Sequence, residues 1–184
     1  MANKRVVVIG GGPAGHDAAT SAARFGADVT LIERDIVGGA AHLRDCVPSK
    51  SMIATGGALS FARRIDGMGL ANVETGVDAE HLRARIQGIE QRLEQSVTQL
   101  LTSQGVTIHR GTGRLLGPNE VCADTADGSI ELTADAIVLA TGSRPRIPEW
   151  ASIDHERVLT PRDAYPPAEL PEHLIVVGSG VTGV

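Results

Sequence analysis

Hydrophobic positions change period several times along the chain, and each change marks an element. Val6–Ile9 are four consecutive apolar β-branched residues behind Arg5, the pattern of a buried strand over 5–9. Residues 10–15 are glycine-rich, and an alanine-rich helix is expected from Pro13 to Phe25. Pro13 suits its first turn and Gly26 its C′ position. Asp28–Ile32 reads as a second strand ending at Glu33, so strand, helix and strand fall within about 30 residues and require parallel pairing. A Gly-Gly loop follows. Pro48 then opens a helix running to about Ile65, weakened in its middle by Gly56-Gly57. A polar loop over 66–77 leads to Asp78, a good N-cap. Over 79–103, Leu82, Ile86, Ile89, Leu93, Val97, Leu100 and Leu101 recur at spacings of three and four, which predicts a long helix with one apolar stripe.

After Gly105 the period shortens to that of strands: 106–110, 115–116, 120–123, 130–133 and 136–140, with Asp127-Gly128 as a hairpin signal. The short strands predict a small antiparallel insert, and the last, AIVLA, reads as a fully buried parallel strand. Residues 144–173 hold most of the nine prolines and read as a connector. Leu174–Val177 is one more buried strand, entering the glycine turn 178–183. With no helix behind it to cover its faces, the chain is expected to end at the threshold of a second domain. The expected fold is α/β: a Rossmann-like parallel sheet with helices on both faces and a small antiparallel β insert. Residues 1–148 form its first domain, 149–173 the connector, and 174–184 the first strand and turn of a second Rossmann-like domain.

Composition narrows the function classes. There are 22 glycines in 184 residues but only one Trp, one Tyr and two Phe, which fits backbone approached closely by a ligand rather than a stacking platform for bases. A net charge of −5 without a basic run speaks against nucleic acid as a partner. No apolar run is long enough to span a membrane, and the first residues lead straight into a strand, so the cytoplasm is the expected compartment. Two cysteines, Cys46 and Cys122, make no disulfide framework, and no metal-ligand cluster is evident.

Two glycine fingerprints carry the chemistry, Gly10-x-Gly12-x-x-Gly15 and Gly178-x-Gly180-x-x-Gly183, each behind four apolar residues. A lone GxGxxG arises by chance about 0.3 times in a chain this glycine-rich; the apolar requirement reduces that to about 0.01. The physical demands are those of a dinucleotide. Gly10 permits a tight turn, Gly12 lets a pyrophosphate approach the backbone, and Gly15 allows helix and strand to pack closely. The phosphates then face the positive end of the helix starting at Pro13. Glu33, 18 residues past Gly15, is placed to bind a ribose hydroxyl pair. Two such sites imply two dinucleotides, and electron transfer between a flavin and a nicotinamide is their natural use.

The segments VVVIGGGPAG, VTLIER, GGAAHLRDCVPSK, VLATGSRPRIP and LIVVGSGVTG occur in this order, and the whole chain resembles the pyridine nucleotide–disulfide oxidoreductases, a family that includes lipoamide dehydrogenase. The resemblance implies FAD on the first domain, NAD(P)H on the second, and a homodimer in the full-length protein. Carried over residue by residue, Gly10, Gly12, Pro13, Ala14, Gly15, Glu33 and Arg34 resemble the binders of the pyrophosphate and adenosine. Gly39 and Ala40 lie beside the phosphates, where the family usually has Gly-Thr. Gly113 matches a backbone contact to adenine, and Ala140, Thr141, Gly142 and Ser143 match a second FAD motif. Lys50 matches a lysine beside the reactive face of the flavin, and Gly178, Gly180 and Gly183 match the nicotinamide-nucleotide turn.

The family pattern Gly-Gly-Thr-Cys-x4-Cys-x-Pro-Ser-Lys supplies a redox disulfide. Aligned on Cys-Val-Pro-Ser-Lys, this chain has Ala41 at the first cysteine and Cys46 at the second. Dithiol chemistry needs two adjacent sulfurs, so disulfide reduction of the family type is expected to fail. Cys46, expected at a helix N-terminus with Lys50 one turn on, reads either as a thiol tuning the flavin or as an inherited packing residue. Cys122 reads as buried packing. The pattern resembles NAD(P)H–quinone reductases of this family, which implies hydride from NAD(P)H to FAD and electrons onward to a quinone or similar small acceptor. The alternatives are a lipoamide dehydrogenase or other disulfide reductase, and a non-catalytic flavin-binding redox sensor.

Overall fold

The structure, a computed structural model, describes residues 3–65, 68–69, 76–180 and 182–183. The polar loop expected over 66–77 lies largely outside the described residues. Two compact units emerge, Met1–Arg44 with Glu90–Ser143, and Asp45–Ile89 with Arg144–Val184.

The first unit is built on one sheet. Strands β1 (Arg5–Ile9), β2 (Asp28–Glu33), β3 (Thr107–Gly117), β4 (Glu120–Thr125), β5 (Gly128–Thr133) and β6 (Ala136–Leu139) stand in the order β5-β4-β3-β2-β1-β6. β1 pairs in parallel with β2 and with β6, and β2 in parallel with β3 (Thr30 beside Thr107, Glu33 beside Arg110). Beyond Arg110, β3 changes partner and runs antiparallel to β4, which forms the expected hairpin with β5 around Asp127-Gly128. The separate strands expected at 106–110 and 115–116 are therefore one long strand. Gly111 and Gly113 make this continuity feasible. A β-carbon on Gly111 would meet the Asp124 carbonyl, and one on Gly113 would lie 2.8 Å from Ile9 Cγ2 and 3.4 Å from Ile32 Cδ1. Glycine thus lets the second half of β3 lie directly on the ends of β1 and β2.

The α/β class holds, but the covering of the sheet differs from the expectation. Val8, Val29 and Leu31 pack with Ala19 of α1 (Pro13–Arg24) and with Leu101 of α3 (Ala79–Ser103), so both helices serve one face. On the opposite face Val7, Ile9 and Ile32 pack with Val121 and Ala123 of β4 and with Ile130 and Leu132 of β5. Among the described residues the hairpin, not a helix, covers this side. β6 is parallel as expected but not fully buried, with Leu139 exposed, because it is the edge strand and has β1 as its one neighbour among the described residues.

Both helices on the sheet end in the same device. Gly26 (φ +82°) donates to Ala23 O and Ala27 donates to Ala22 O; Gly105 (φ +81°) donates to Thr102 O and Val106 to Leu101 O. These are Schellman closures, and the buried Leu101–Val106 pair supplies the apolar contact that accompanies one. At the other end of α3 the Asp78 carboxylate accepts the His81 N–H at 2.9 Å, as its position predicts.

In the second unit, α2 (Val47–Arg63) runs unbroken through Gly56-Gly57. A four-residue helix, α4 (Pro161–Ala164), carries a capping box between Thr160 and Asp163. Leu174–Val177 forms no strand and is exposed, contrary to the buried strand expected there. A strand of that composition is buried by neighbours on both sides, and none stands beside it among the described residues.

Gly26→Ala and Gly105→Ala each place a β-carbon in open space at a left-handed φ. The steric cost of about 1–2 kcal/mol is offset by about 0.4–1 kcal/mol of lost unfolded-state freedom. Urea unfolding should show each variant about 0.5–1 kcal/mol less stable.

Candidate functional site

The first glycine turn is held by backbone contacts that exclude side chains. Gly10 has φ +107°, and a β-carbon there would collide with the Ala140 carbonyl. A β-carbon on Gly15 would collide with the Gly10 carbonyl. Gly10 N–H donates to Ile32 O at 2.8 Å, and Ala140 N–H donates to Ile9 O at 2.8 Å. The ends of β1, β2 and β6 therefore converge on one point, at the start of α1.

A second turn closes over the first. Gly38 (φ +110°) donates to Gly11 O at 2.8 Å, and a β-carbon on Gly39 (φ +83°) would collide with Gly12 Cα. α1 begins at Pro13 with no side chain capping it and no acidic residue in its first turn. Its N–H groups and positive dipole end are left for an anion. Glu33 lies at the edge of this cradle, 9% exposed. Its Oε2 accepts the Gly11 N–H at 2.6 Å and its Oε1 the Asp35 N–H at 2.7 Å. Each carboxylate oxygen has a further lone pair for a hydroxyl.

The structure thus brings Gly10, Gly12, Pro13, Ala14, Gly15, Glu33, Gly39, Ala140 and Thr141 into one place. Arg34 is exposed next to Glu33, Ala40 follows Gly39, and Gly142 (φ +66°) and Ser143 continue outward from Thr141. Gly113 lies against Ile9 and Ile32. Sequence reasoning missed Gly11, Gly38 and Asp35, whose backbone groups tie the two turns and the carboxylate together. A third consecutive glycine and a first glycine ahead of Gly39 were the available signals. The cradle fits the pyrophosphate and one ribose of a dinucleotide, since it offers backbone N–H donors, no competing carboxylate in the first turn of the helix, and space that any β-carbon would fill.

In the second unit, the glycine turn 178–183 repeats this geometry by itself. Gly178 has φ +119°, and a β-carbon on Gly183 would collide with the Gly178 carbonyl, as Gly15 would with Gly10. Tyr165 Oη donates to the Thr182 carbonyl at 3.0 Å and braces this turn. Gly180 has open space around it.

Cys46 and Lys50 are both exposed, four residues apart in one helical run. Cys46 is not at a helix N-terminus, which corrects the expectation. Residues Ala41–Cys46 form a π-helical turn that joins α2 directly, and Cys46 itself has helical angles (φ −70°, ψ −44°). Pro48 explains the widened turn. Inside a helical run it offers no N–H to the residue four before it and its ring crowds that carbonyl, so the preceding turn opens. The positive end of the run belongs to residues after Gly39, not to Cys46. Cys122 is buried; burial pushes its thiol above the ordinary value, and its Sγ donates to Asp124 Oδ1 at 3.3 Å. Among the described residues, no three His, Cys, Asp or Glu side chains gather as a metal site would require. No helix there is long and apolar enough to cross a membrane.

The sequence pattern described as "Pyridine nucleotide-disulphide oxidoreductase" matches residues 4–184. The chain belongs to this family. It is 41% identical over 191 residues to a NAD(P)H dehydrogenase (quinone) of Mycobacterium tuberculosis strain H37Rv, covering 97% of this chain and 39% of the relative. A dihydrolipoyl dehydrogenase of Bacillus subtilis strain 168 is 31% identical over 188 residues, covering 97% of this chain and 40% of the relative. Among solved structures, LpdA from Mycobacterium tuberculosis superposes with a TM-score of 0.87 at 39% identity, over 98% of this chain and 40% of that one. The flavoprotein disulfide reductase RclA from Escherichia coli shares the fold over 81% of this chain and 31% of its own, with a TM-score of 0.65 at 20% identity. The chain spans about two fifths of the length of the relatives it matches.

Two measurements probe the cradle and its surroundings. Glu33→Ala would strand the buried Gly11 N–H, and urea unfolding should show a loss of about 1–3 kcal/mol. Glu90, on α3, carries a proton affinity raised first by burial, with the nearby Asp35 adding to this and Arg44 opposing it. A raised carboxyl stabilises the fold below its unfolded value, and that contribution is lost as pH rises through its folded value. Glu90→Gln should therefore melt above the parent protein at pH 7–8, with the gap closing as pH falls below about 4.3, the ordinary glutamate range.

Proposed function

We propose that the full-length protein is an FAD-dependent oxidoreductase that takes hydride from NAD(P)H and passes electrons to a quinone or similar small acceptor without a redox disulfide. The carrying observation is the pairing of an intact dinucleotide cradle with alanine at position 41. Bound FAD would supply hydride acceptance and electron delivery. The residues of this chain hold it: the N–H groups at the start of α1 face the pyrophosphate, Glu33 takes the adenosine ribose hydroxyls, and Thr141–Ser143 line the exit of β6. Gly113 keeps the floor beneath the adenine free of a side chain.

In the same reading, residues 1–148 form the FAD-binding domain, 149–173 the connector, and 174–184 the opening of the nicotinamide-nucleotide domain, with Gly178, Gly180 and Gly183 at its phosphates. Cys46, at the end of the turn that carries two cysteines in the family pattern, and Lys50, in the first turn of α2, would border the flavin. Ala41 has no sulfur to attack a substrate disulfide or to pair with Cys46, and both cysteines of the chain are free thiols. The 41% identity to a protein named as a quinone-linked NAD(P)H dehydrogenase supports the choice of acceptor. The 31% identity to a dihydrolipoyl dehydrogenase makes lipoamide the competing acceptor.

The test is NADH and NADPH oxidation by the full-length protein with a soluble quinone, with lipoamide, and with neither. Quinone-dependent turnover at least about 100-fold above that with lipoamide is expected, a gap of about 2.7 kcal/mol in barrier. Comparable lipoamide reduction would overturn the reading. Bound FAD without turnover on any acceptor would assign a sensing role instead.

A further inference from the structure

Glu90 occupies the buried face of α3, one turn after the fully buried Ile86, and only 12% of its side chain is exposed. An apolar residue would continue the stripe there without the cost of taking a carboxylate out of water. The cation that meets it comes from the turn before α2. Arg44 Nη1 donates to Glu90 Oε2 at 3.3 Å, and Arg44 Nη2 donates to Asp35 Oδ1 at 3.3 Å. Asp35 in turn donates its N–H to Glu33 Oε1, and Glu33 holds the Gly11 N–H. One connected series of polar contacts therefore runs from the glycine turn through Glu33, Asp35 and Arg44 to the buried side of α3.

Burial outweighs the attraction of Arg44 in setting the proton affinity of Glu90, so the charged pair is held against an electrostatic cost. What a guanidinium forked between two carboxylates supplies is fixed geometry. The turn is seated on its inner side by the fully buried Leu43, which packs against Gly38, and on its outer side the half-exposed Arg44 is anchored at both nitrogens.

We propose that Arg44 is a positioning residue: by bridging Asp35 and Glu90 it fixes the turn 41–46 to the Glu33 end of the cradle, and so holds Cys46, two residues on, at one place beside the flavin. The last clause rests on the proposed placement of this turn against FAD; the anchoring of the turn does not.

The test uses the full-length protein, flavin-loaded and flavin-stripped, with Arg44→Lys and the double variant Arg44→Met/Glu90→Gln, which leaves no unpaired buried carboxylate. Amide hydrogen exchange over residues 41–46 should rise about tenfold in the double variant with little change over α3, and Arg44→Lys should fall between the two. Alkylation of Cys46 by iodoacetamide should be slowed by saturating FAD in the parent protein, and that protection should fall at least about fivefold in the double variant. Unchanged exchange over 41–46 in the double variant overturns the anchoring role. Equal alkylation with and without FAD in the parent protein would refute the placement of the turn beside the flavin, and with it the claim for Cys46, while the exchange result still decides the role of Arg44.

Discussion

The Gly10 carbonyl occupies the space that a β-carbon on residue 15 would need, and the Ala140 carbonyl occupies the space of one on residue 10. Three chain segments therefore meet at backbone-to-backbone distance, which only glycine permits. Everything else in the cradle follows from that approach. The start of α1 is drawn onto the end of β1, its N–H groups are left uncapped, and the Gly38-Gly39 turn can settle on Gly12. The repetition of this contact between Gly178 and Gly183, in a segment with no sheet around it among the described residues, shows how local the constraint is. Turn geometry of this kind is written into five or six residues and does not wait for the rest of the fold.

That locality explains what was legible in the sequence. The two fingerprints, Glu33 at the end of β2, the Asp127-Gly128 hairpin, the Asp78 cap and the helix end at Gly26 all depend on short-range chemistry, and all were readable from residue type and spacing. The misread features depend on neighbours distant in sequence. Whether β6 is central or at an edge turns on strand order, and whether 174–177 is buried turns on partners, neither of which a run of apolar residues encodes. The second face of the sheet is covered by a hairpin because β3 changes partners halfway. The signal for that was a pair of glycines, Gly111 and Gly113, within a stretch that otherwise reads as two strands.

The polar series through Arg44 was invisible for a related reason. A glutamate between Ile86 and Val97 reads as a solvated position on an amphipathic helix, and an arginine in a loop reads as surface. Only the fold brings them together. The π-helical turn was misread for the opposite reason, since Pro48 is a valid helix-start signal taken alone. It fails here because residues 41–46 are already helical, and the helix accommodates the proline by widening the turn before it rather than by beginning after it.

The same observation bears on what the alanine at position 41 means. Ala41 is exposed, so neither the packing of the first unit nor the closure of its glycine turns requires any particular side chain there. A cysteine at that position would be tolerated by the fold as readily as the alanine. The choice is then one of chemistry rather than architecture. In this chain alanine at position 41 stands together with an intact cradle and Glu33. On the proposed reading, the electrons of a flavin held in that cradle have no dithiol to pass through, and the acceptor left to them is one that meets the flavin directly.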